Sequence, residues 1–127
     1  MMATGSRAIM VPTDFYKSLV FRKRKAGEAS GVDSDGGAAY HHKWKDGFYC
    51  EYFVSSSGRW WSGSGDTKKE AAYSCLMSLV WSIGTEGLRG QSSPQLLESI
   101  RGFINAKRVR LPDGGAWPHI YDKICGA

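Results

Sequence analysis

Long apolar runs are missing from this sequence. No stretch approaches the ~20 residues that a membrane-spanning helix needs, so no span is expected. Cysteine is scarce: Cys50, Cys75 and Cys125 are the only three among 127 residues. An odd count with no closely spaced pair excludes the disulfide framework of a small secreted domain. It also supplies no Cys-x-x-Cys, and the three histidines, His41, His42 and His119, lack a His-x-x-x-His spacing, so a zinc ligand set is not expected. Acidic residues are few and scattered, 12 against 17 Lys and Arg. There is no carboxylate cluster, no phosphate-binding P-loop and no nucleophile elbow. Catalytic residues, cofactors and metals are therefore not expected. The opening MMATGSRAIMVP is too short and polar for a secretory signal. The expected setting is intracellular, cytoplasmic rather than nuclear.

What remains is basic and aromatic. The formal charge is +5, and aromatic residues make up 13% of the chain with five Trp. That combination excludes a disordered basic tail and favours a folded domain with a polyanion as partner. The length fits one domain with an extension. Residues 1–11 read as a flexible terminus, 12–83 as the domain and 84–92 as a linker. Residues 93–127 read as a C-terminal helix and tail that pack on the domain or on a partner.

Taken in order, Pro12 and Thr13 start a helix. Its apolar face holds Phe15, Tyr16, Leu19 and Val20, and it ends in the cations Arg22-Lys23-Arg24-Lys25. Residues 26–38 hold little to bury and read as a flexible loop. Tyr40–Trp44 reads as a strand, and Lys45-Asp46-Gly47 as the turn of a hairpin. Phe48–Val54 is the clearest strand, with Phe48, Cys50, Tyr52 and Val54 on one face and Tyr49, Glu51 and Phe53 on the other. Arg59–Ser62 returns beside it, which gives a three-stranded antiparallel meander. Thr67 and Glu70 form a capping box for a helix over 67–83, with small residues on one face and Gly84 as terminator. Pro94 opens another helix, whose apolar stripe is Leu96, Leu97, Ile100, Phe103 and Ile104, with Ser93 as its cap. Lys107, Arg108 and Arg110 follow it. The tail from Trp117 to Ile124 is too apolar to be left in solvent.

The chemistry concentrates at the start of the helix over 67–83. A helix start presents unpaired N–H groups and partial positive charge. Lys68 and Lys69 add two cations there, next to the loop Gly63-Ser64-Gly65-Asp66-Thr67. The glycines are read as letting the backbone approach a ligand, and the whole as a phosphate site.

The stretch from Gly63 to Ala71 matches the G-x-G-x-[ST]-K-K-x-A run of the double-stranded RNA-binding domain family. Phe48-x-Cys50-x-Tyr52-x-Val54 matches the alternation of that family's second strand. The region over 12–83 thus resembles this family. The resemblance implies an α+β fold in the order α-β-β-β-α: a three-stranded antiparallel sheet with two helices on one face, plus a C-terminal helical extension. It implies that Thr67, Lys68 and Lys69 bridge phosphates across the major groove of A-form RNA. By position it implies that Asp14, Lys17 and Ser18 face a minor groove. The family's Gly-Pro-x-His stretch between its first two strands is reduced here to Lys45-Asp46-Gly47. Ala72 stands where a third lysine is common, and His41 and His42 fall in a strand. Lys43, Lys45 and the Arg22–Lys25 run are candidates to compensate.

In such a fold the sheet's other face would carry Tyr49, Phe53 and one of Trp60 and Trp61. That face is expected either to be covered by the C-terminal segment or to bind a second copy or a partner protein. The expected function is non-catalytic binding of double-stranded RNA by shape and phosphate contacts, sequestering duplex from silencing or sensing machinery. The alternative is the same fold used as a dimerisation or adaptor module in RNA processing.

Overall fold

The strand with strict alternation, GFYCEYFV, is the centre of the sheet. The computed structural model describes residues 11–32, 37–54, 58–86, 94–106 and 111–126. Within them the elements run α1 (Thr13–Lys17), β1 (Val20–Arg24), β2 (Gly27–Val32), β3 (Ala39–Trp44), β4 (Gly47–Val54), β5 (Arg59–Gly65), α2 (Lys68–Glu86), α3 (Pro94–Ala106) and α4 (Trp117–Cys125). The fold is α+β. Strands β1, β4 and β5 form one antiparallel sheet in that order, and β2 and β3 form a separate two-stranded hairpin.

Three expectations are corrected by this pairing. The first helix is five residues long and stops at Lys17. The apolar spacing that suggested a longer helix is met instead by one helical turn followed by a strand. Phe15 and Leu19 are buried, and Val20–Arg24 then pairs with Glu51–Gly47 of β4. Pairing with β4 supplies a ladder of hydrogen bonds and a buried side for Phe21, which a free helix end over the cationic run would not. The stretch read as a loop over 26–38 contains β2, which pairs along its length with β3. Lys45-Asp46-Gly47 is accordingly not a hairpin turn. It is the crossing from the β2–β3 hairpin into the central strand of the main sheet.

One face of the main sheet is covered by α2. Cys50 and Val54 of β4 are buried against it, while Phe48, Tyr52 and Trp61 are partly buried. Phe15 of α1 packs on Tyr52, with ring centroids 4.9 Å apart. Along α2, Ala71, Ala72, Cys75, Leu76, Leu79 and Val80 are all fully buried. A helix apolar all round must be covered on both sides. The sheet covers one side, and α4 with α3 covers the other, through Leu96, Ile100, Ile104, Ile120 and Ile124 of the same core.

Gly84 does not end α2, which continues to Glu86. A Cβ at Gly84 would overlap the side chain of Ile120. This glycine therefore marks where α4 crosses closely over α2. At the other helix end, Gly126 takes a left-handed φ of 76° and closes α4, its N–H donating to the Asp122 carbonyl. No helix of the described residues is long and apolar enough to cross a membrane. The expectations made for residues 1–10, for Ser93 and for Lys107, Arg108 and Arg110 lie outside the described residues.

Candidate nucleic-acid interface

The interface is built on the junction of β5 and α2. Gly63 and Gly65 lie within β5 on the side facing α2. A Cβ at Gly63 would overlap the Cys75 backbone and come within 2.6 Å of the Ala71 carbonyl; one at Gly65 would lie 2.6 Å from Glu70 Cβ. These glycines serve the close packing of helix on strand. They are not a loop that lets a ligand approach, which corrects the reading from sequence. The small residues Ala71 and Cys75 on α2 meet them, so the first turn of α2 lies directly on the sheet's end.

Thr67 caps that turn. Its hydroxyl accepts the Glu70 N–H at 3.1 Å, the first half of a capping box, and donates to Glu70 Oε1 at 3.4 Å. Ala71 N–H donates to the Thr67 carbonyl at 2.9 Å. The N–H groups of Lys68 and Lys69 are left to point out of the helix end. Thr67 thus fixes the geometry of the end, and its hydroxyl is occupied in doing so.

Lys68 and Lys69 are both exposed. The Lys68 ammonium sits 5.6 Å from the ring centroids of both Phe21 and Phe48, at the outer range of a cation–π contact. Lys23 pairs with Phe48 across the β1–β4 ladder and so projects from the same face of the sheet. The aromatic ledge of Phe21 and Phe48 therefore carries a cation from the strand beside cations from the helix. Sequence reasoning held Lys23 only as one member of the Arg22–Lys25 run and did not single it out, because a cation run reads as a helix end. Strand alternation within Val20–Arg24 is the signal that separates Lys23 from Arg22 and Arg24. None of Lys17, Lys23, Lys25, Lys68 and Lys69 forms an ion pair with a described residue.

Arg24 is committed elsewhere. Its Nη2 lies 3.0 Å from Asp66 Oδ1, and its Nε donates to the Lys45 carbonyl at 3.0 Å. This ties the end of β1 to the loop before α2. Asp46 Oδ1 accepts the Ala26 N–H at 2.7 Å, and Trp44 Nε1 donates to the Lys25 carbonyl at 2.9 Å. The hairpin is thereby clamped at its base. Between these groups a groove of about 440 Å³ opens, lined by Lys23, Lys25, Asp46, Phe48 and the Arg24–Asp66 pair. Lys43 and Lys45 are exposed on β3 and on the crossing that follows it. His41 lies near Ser30 and, at 3.6 Å, Glu28 on the hairpin's far side from Trp44.

Asp14, Lys17 and Ser18 are exposed on and just beyond α1. Ser18 Oγ donates to the Asp14 carbonyl at 2.9 Å, closing the helix end. Asp14 and Ser18 also border a small pocket of about 170 Å³ with Gln95, Leu96 and Ser99 of α3. Tyr16, next to Lys17, packs on Phe21 with centroids 5.2 Å apart, so α1 reaches the ledge on which Lys68 rests. The position where a third lysine was considered, Ala72, is fully buried and has no room for one.

On the opposite face of the sheet, Tyr49, Phe53 and Trp60 are 36%, 45% and 57% exposed. Phe53 and Trp60 pair across the ladder with centroids 4.8 Å apart. Trp61 points the other way, into the α2 side, with Arg59 stacked 4.5 Å over it. The C-terminal helices pack on α2 and leave the outer face uncovered.

As for reactive groups, Cys50 and Cys75 are both fully buried. Its hydrogen bond with Cys50, reinforced by burial, pushes the Cys75 thiol up, so it stays protonated. Burial also pushes Cys125 up. Among the described residues no three His, Cys, Asp or Glu come together as a metal site. The exposed cations at the start of α2 and on β1 can attract phosphates. The chain matches no protein-family model, and no curated protein or solved structure is similar to it beyond chance.

Proposed function

We propose that this chain is a non-catalytic double-stranded RNA-binding protein that recognises A-form duplex by shape and phosphate charge and sequesters it. The observation that carries this reading is the meeting of Lys68, at a capped helix start that also bears the exposed Lys69, with Lys23 on the Phe21–Phe48 ledge. Cations that pair with no carboxylate among the described residues, exposed N–H groups and the positive helix end all favour the same ligand, an array of phosphates. The element order supports duplex RNA over other polyanions. With the β2–β3 hairpin set aside, α1, β1, β4, β5 and α2 follow the helix, three strands, helix order of the double-stranded RNA-binding domain. The hairpin then occupies the connection between its first two strands, so that connection is enlarged here rather than shortened. The helix α1 lies over Tyr52 and the start of α2 over Phe48. Four strand residues separate these points, roughly 13 Å. One face thus offers two contact points set apart along the sheet, which supports a ligand longer than a single phosphate cluster.

A binding titration tests the reading. A perfectly paired RNA of roughly 20 bp exceeds the ~16 bp span of this mode of recognition. It should bind with steep salt dependence, while a DNA duplex and a single strand of matching sequence bind markedly more weakly. Equal affinity for both duplexes would reduce the site to general charge attraction.

A second reading has its own observation: the uncovered Tyr49, Phe53 and Trp60 suit association with a second copy or a partner protein. Phe53→Ser should then convert a dimer to monomer in sedimentation. A monomeric wild-type protein at tens of micromolar would remove self-association from consideration.

A further inference from the structure

The hairpin presents a flat aromatic stripe that the duplex reading does not use. In the β2–β3 ladder Gly27 faces Trp44, Ala29 faces His42 and Gly31 faces Tyr40. One strand gives up its side chains where the other carries rings. An added Cβ at Gly27 would lie 2.9–3.2 Å from three atoms of the Trp44 indole, and one at Gly31 2.8–3.1 Å from three atoms of the Tyr40 phenol. Each ring therefore lies across a glycine, one side bedded on backbone and the other turned outward. Tyr40 and Trp44 remain 38% and 37% exposed, and His42 lies between them, 5.2 Å from Tyr40. The Trp44 ring cannot swing freely, because its Nε1 is held by the Lys25 carbonyl. Strand residues two apart are separated by roughly 6.6 Å. That is wide enough for bases laid on successive rings of an extended strand rather than stacked on one another.

The geometry points to a second nucleic-acid site: Tyr40, His42 and Trp44 form a stacking platform for unpaired nucleobases, continuous at Trp44 with the basic groove beside Lys25. Its ligand is an unpaired segment of RNA, such as a strand end or bulge flanking a duplex held at α2. Stacking on aromatic rings tolerates any base, and cations along the platform hold the backbone. Lys45 follows Trp44 at the end of β3, and the Lys25 carbonyl holds the Trp44 ring nitrogen while Lys25 also lines the basic groove. Lys43, set opposite Glu28 in the ladder, belongs to the hairpin's other face. The basic groove lined by Lys23 and Lys25 lies at the base of the hairpin, so the attraction falls there, where the platform begins. A purely structural role for the rings requires only that they shield the hairpin backbone. It does not require a basic groove at one end of the stripe or one ring locked in place.

This inference concerns the nucleic acid proposed above, yet it can stand or fall separately. The probes are a blunt 20-bp RNA duplex, the same duplex with a single-stranded 3′ extension of about eight nucleotides, and that extension alone. The extended duplex should bind about tenfold more tightly than the blunt one, in keeping with one or two stacked bases. Trp44→Ala should erase that preference while leaving blunt-duplex affinity within twofold. Trp44→Phe, which loses the Lys25 hydrogen bond but keeps a ring face, should retain most of it. Tyr40→Ala, distant from the clamp, guards against a collapsed hairpin and should weaken the preference by itself. Lys68→Ala with Lys69→Ala should weaken both duplexes alike and leave their ratio intact. If no duplex binds but the lone extension binds in a Trp44-dependent way, the platform stands and the duplex reading falls. Equal binding of blunt and extended duplexes by the wild-type protein overturns the platform, as does a preference that survives both Trp44→Ala and Tyr40→Ala.

Discussion

Replacing Lys68 and Lys69 together by Ala should weaken binding of a 20-bp RNA duplex by between ten- and a hundred-fold near physiological salt. Each lysine contributes roughly 0.7 to 1.4 kcal/mol through a charge-assisted contact to phosphate, and the two act together. The salt dependence should flatten as well. Loss of two neutralised phosphates lowers the slope of log affinity against log salt by roughly 1.8. The fold should be untouched, since both side chains are exposed and neither forms an ion pair with a described residue. An unchanged melting temperature checks that. Adding Lys23→Ala should deepen the loss, because Lys23 stands beside Phe48, over which Lys68 sits. Arg24→Ala should behave differently. It breaks the contacts to Asp66 and to the Lys45 carbonyl, so it should lower stability as well as affinity. Affinity that is the same before and after the double lysine change would move the ligand away from α2.

The second large effect is on stability. Gly63→Val should destabilise the protein by ~3 kcal/mol or more, a large share of the ~5–15 kcal/mol available to a domain. The reason is the distance between strand and helix. A side chain at Gly63 overlaps the backbone of Cys75, and backbone cannot move aside as a flexible side chain can. Either α2 lifts from the sheet, exposing Cys50, Leu76 and Leu79, or the strand bends away. Gly102→Ala is the counterpart. Gly102 is exposed in α3, and a Cβ there meets nothing within 4 Å. Removing a glycine from a helix interior should stabilise by roughly 0.5–1 kcal/mol. Chemical denaturation of both variants reads the contrast directly. A Gly63→Val protein as stable as the wild type would mean that α2 does not pack on β5 this closely.

Much of the frame was legible because local chemistry and tertiary packing agree. The alternation of Phe48–Val54 marks the central strand whatever surrounds it. The Thr67–Glu70 box marks the start of α2 for the same reason, and Pro94 begins α3 as its missing N–H allows. The parts that were not legible are those where one pattern serves two structures. Phe15, Tyr16, Leu19 and Val20 satisfy a helical stripe, and they equally satisfy a short helix followed by an edge strand. Only the open side of β4 decides between the two. Gly27–Val32 has poor strand propensity and becomes a strand because Trp44, His42 and Tyr40 need small residues opposite them. Gly84 reads as a helix stop, and it is instead the contact point for Ile120 from a helix more than thirty residues away. Of the candidate site, Lys68 and Lys69 were visible from the motif. Lys23 was visible only as part of its run, because its separate place depends on strand register, and the glycines were visible but assigned the wrong task.

The most direct test of the central claim is to map the contact surface. Amide chemical shifts of the isotope-labelled protein would be followed as a 20-bp RNA duplex is added. The account predicts perturbation centred on Lys68, Lys69 and Lys23, extending to Lys17 on α1, with Tyr49, Phe53 and Trp60 unaffected. Perturbation centred on those three aromatic residues, with the start of α2 silent, would contradict it.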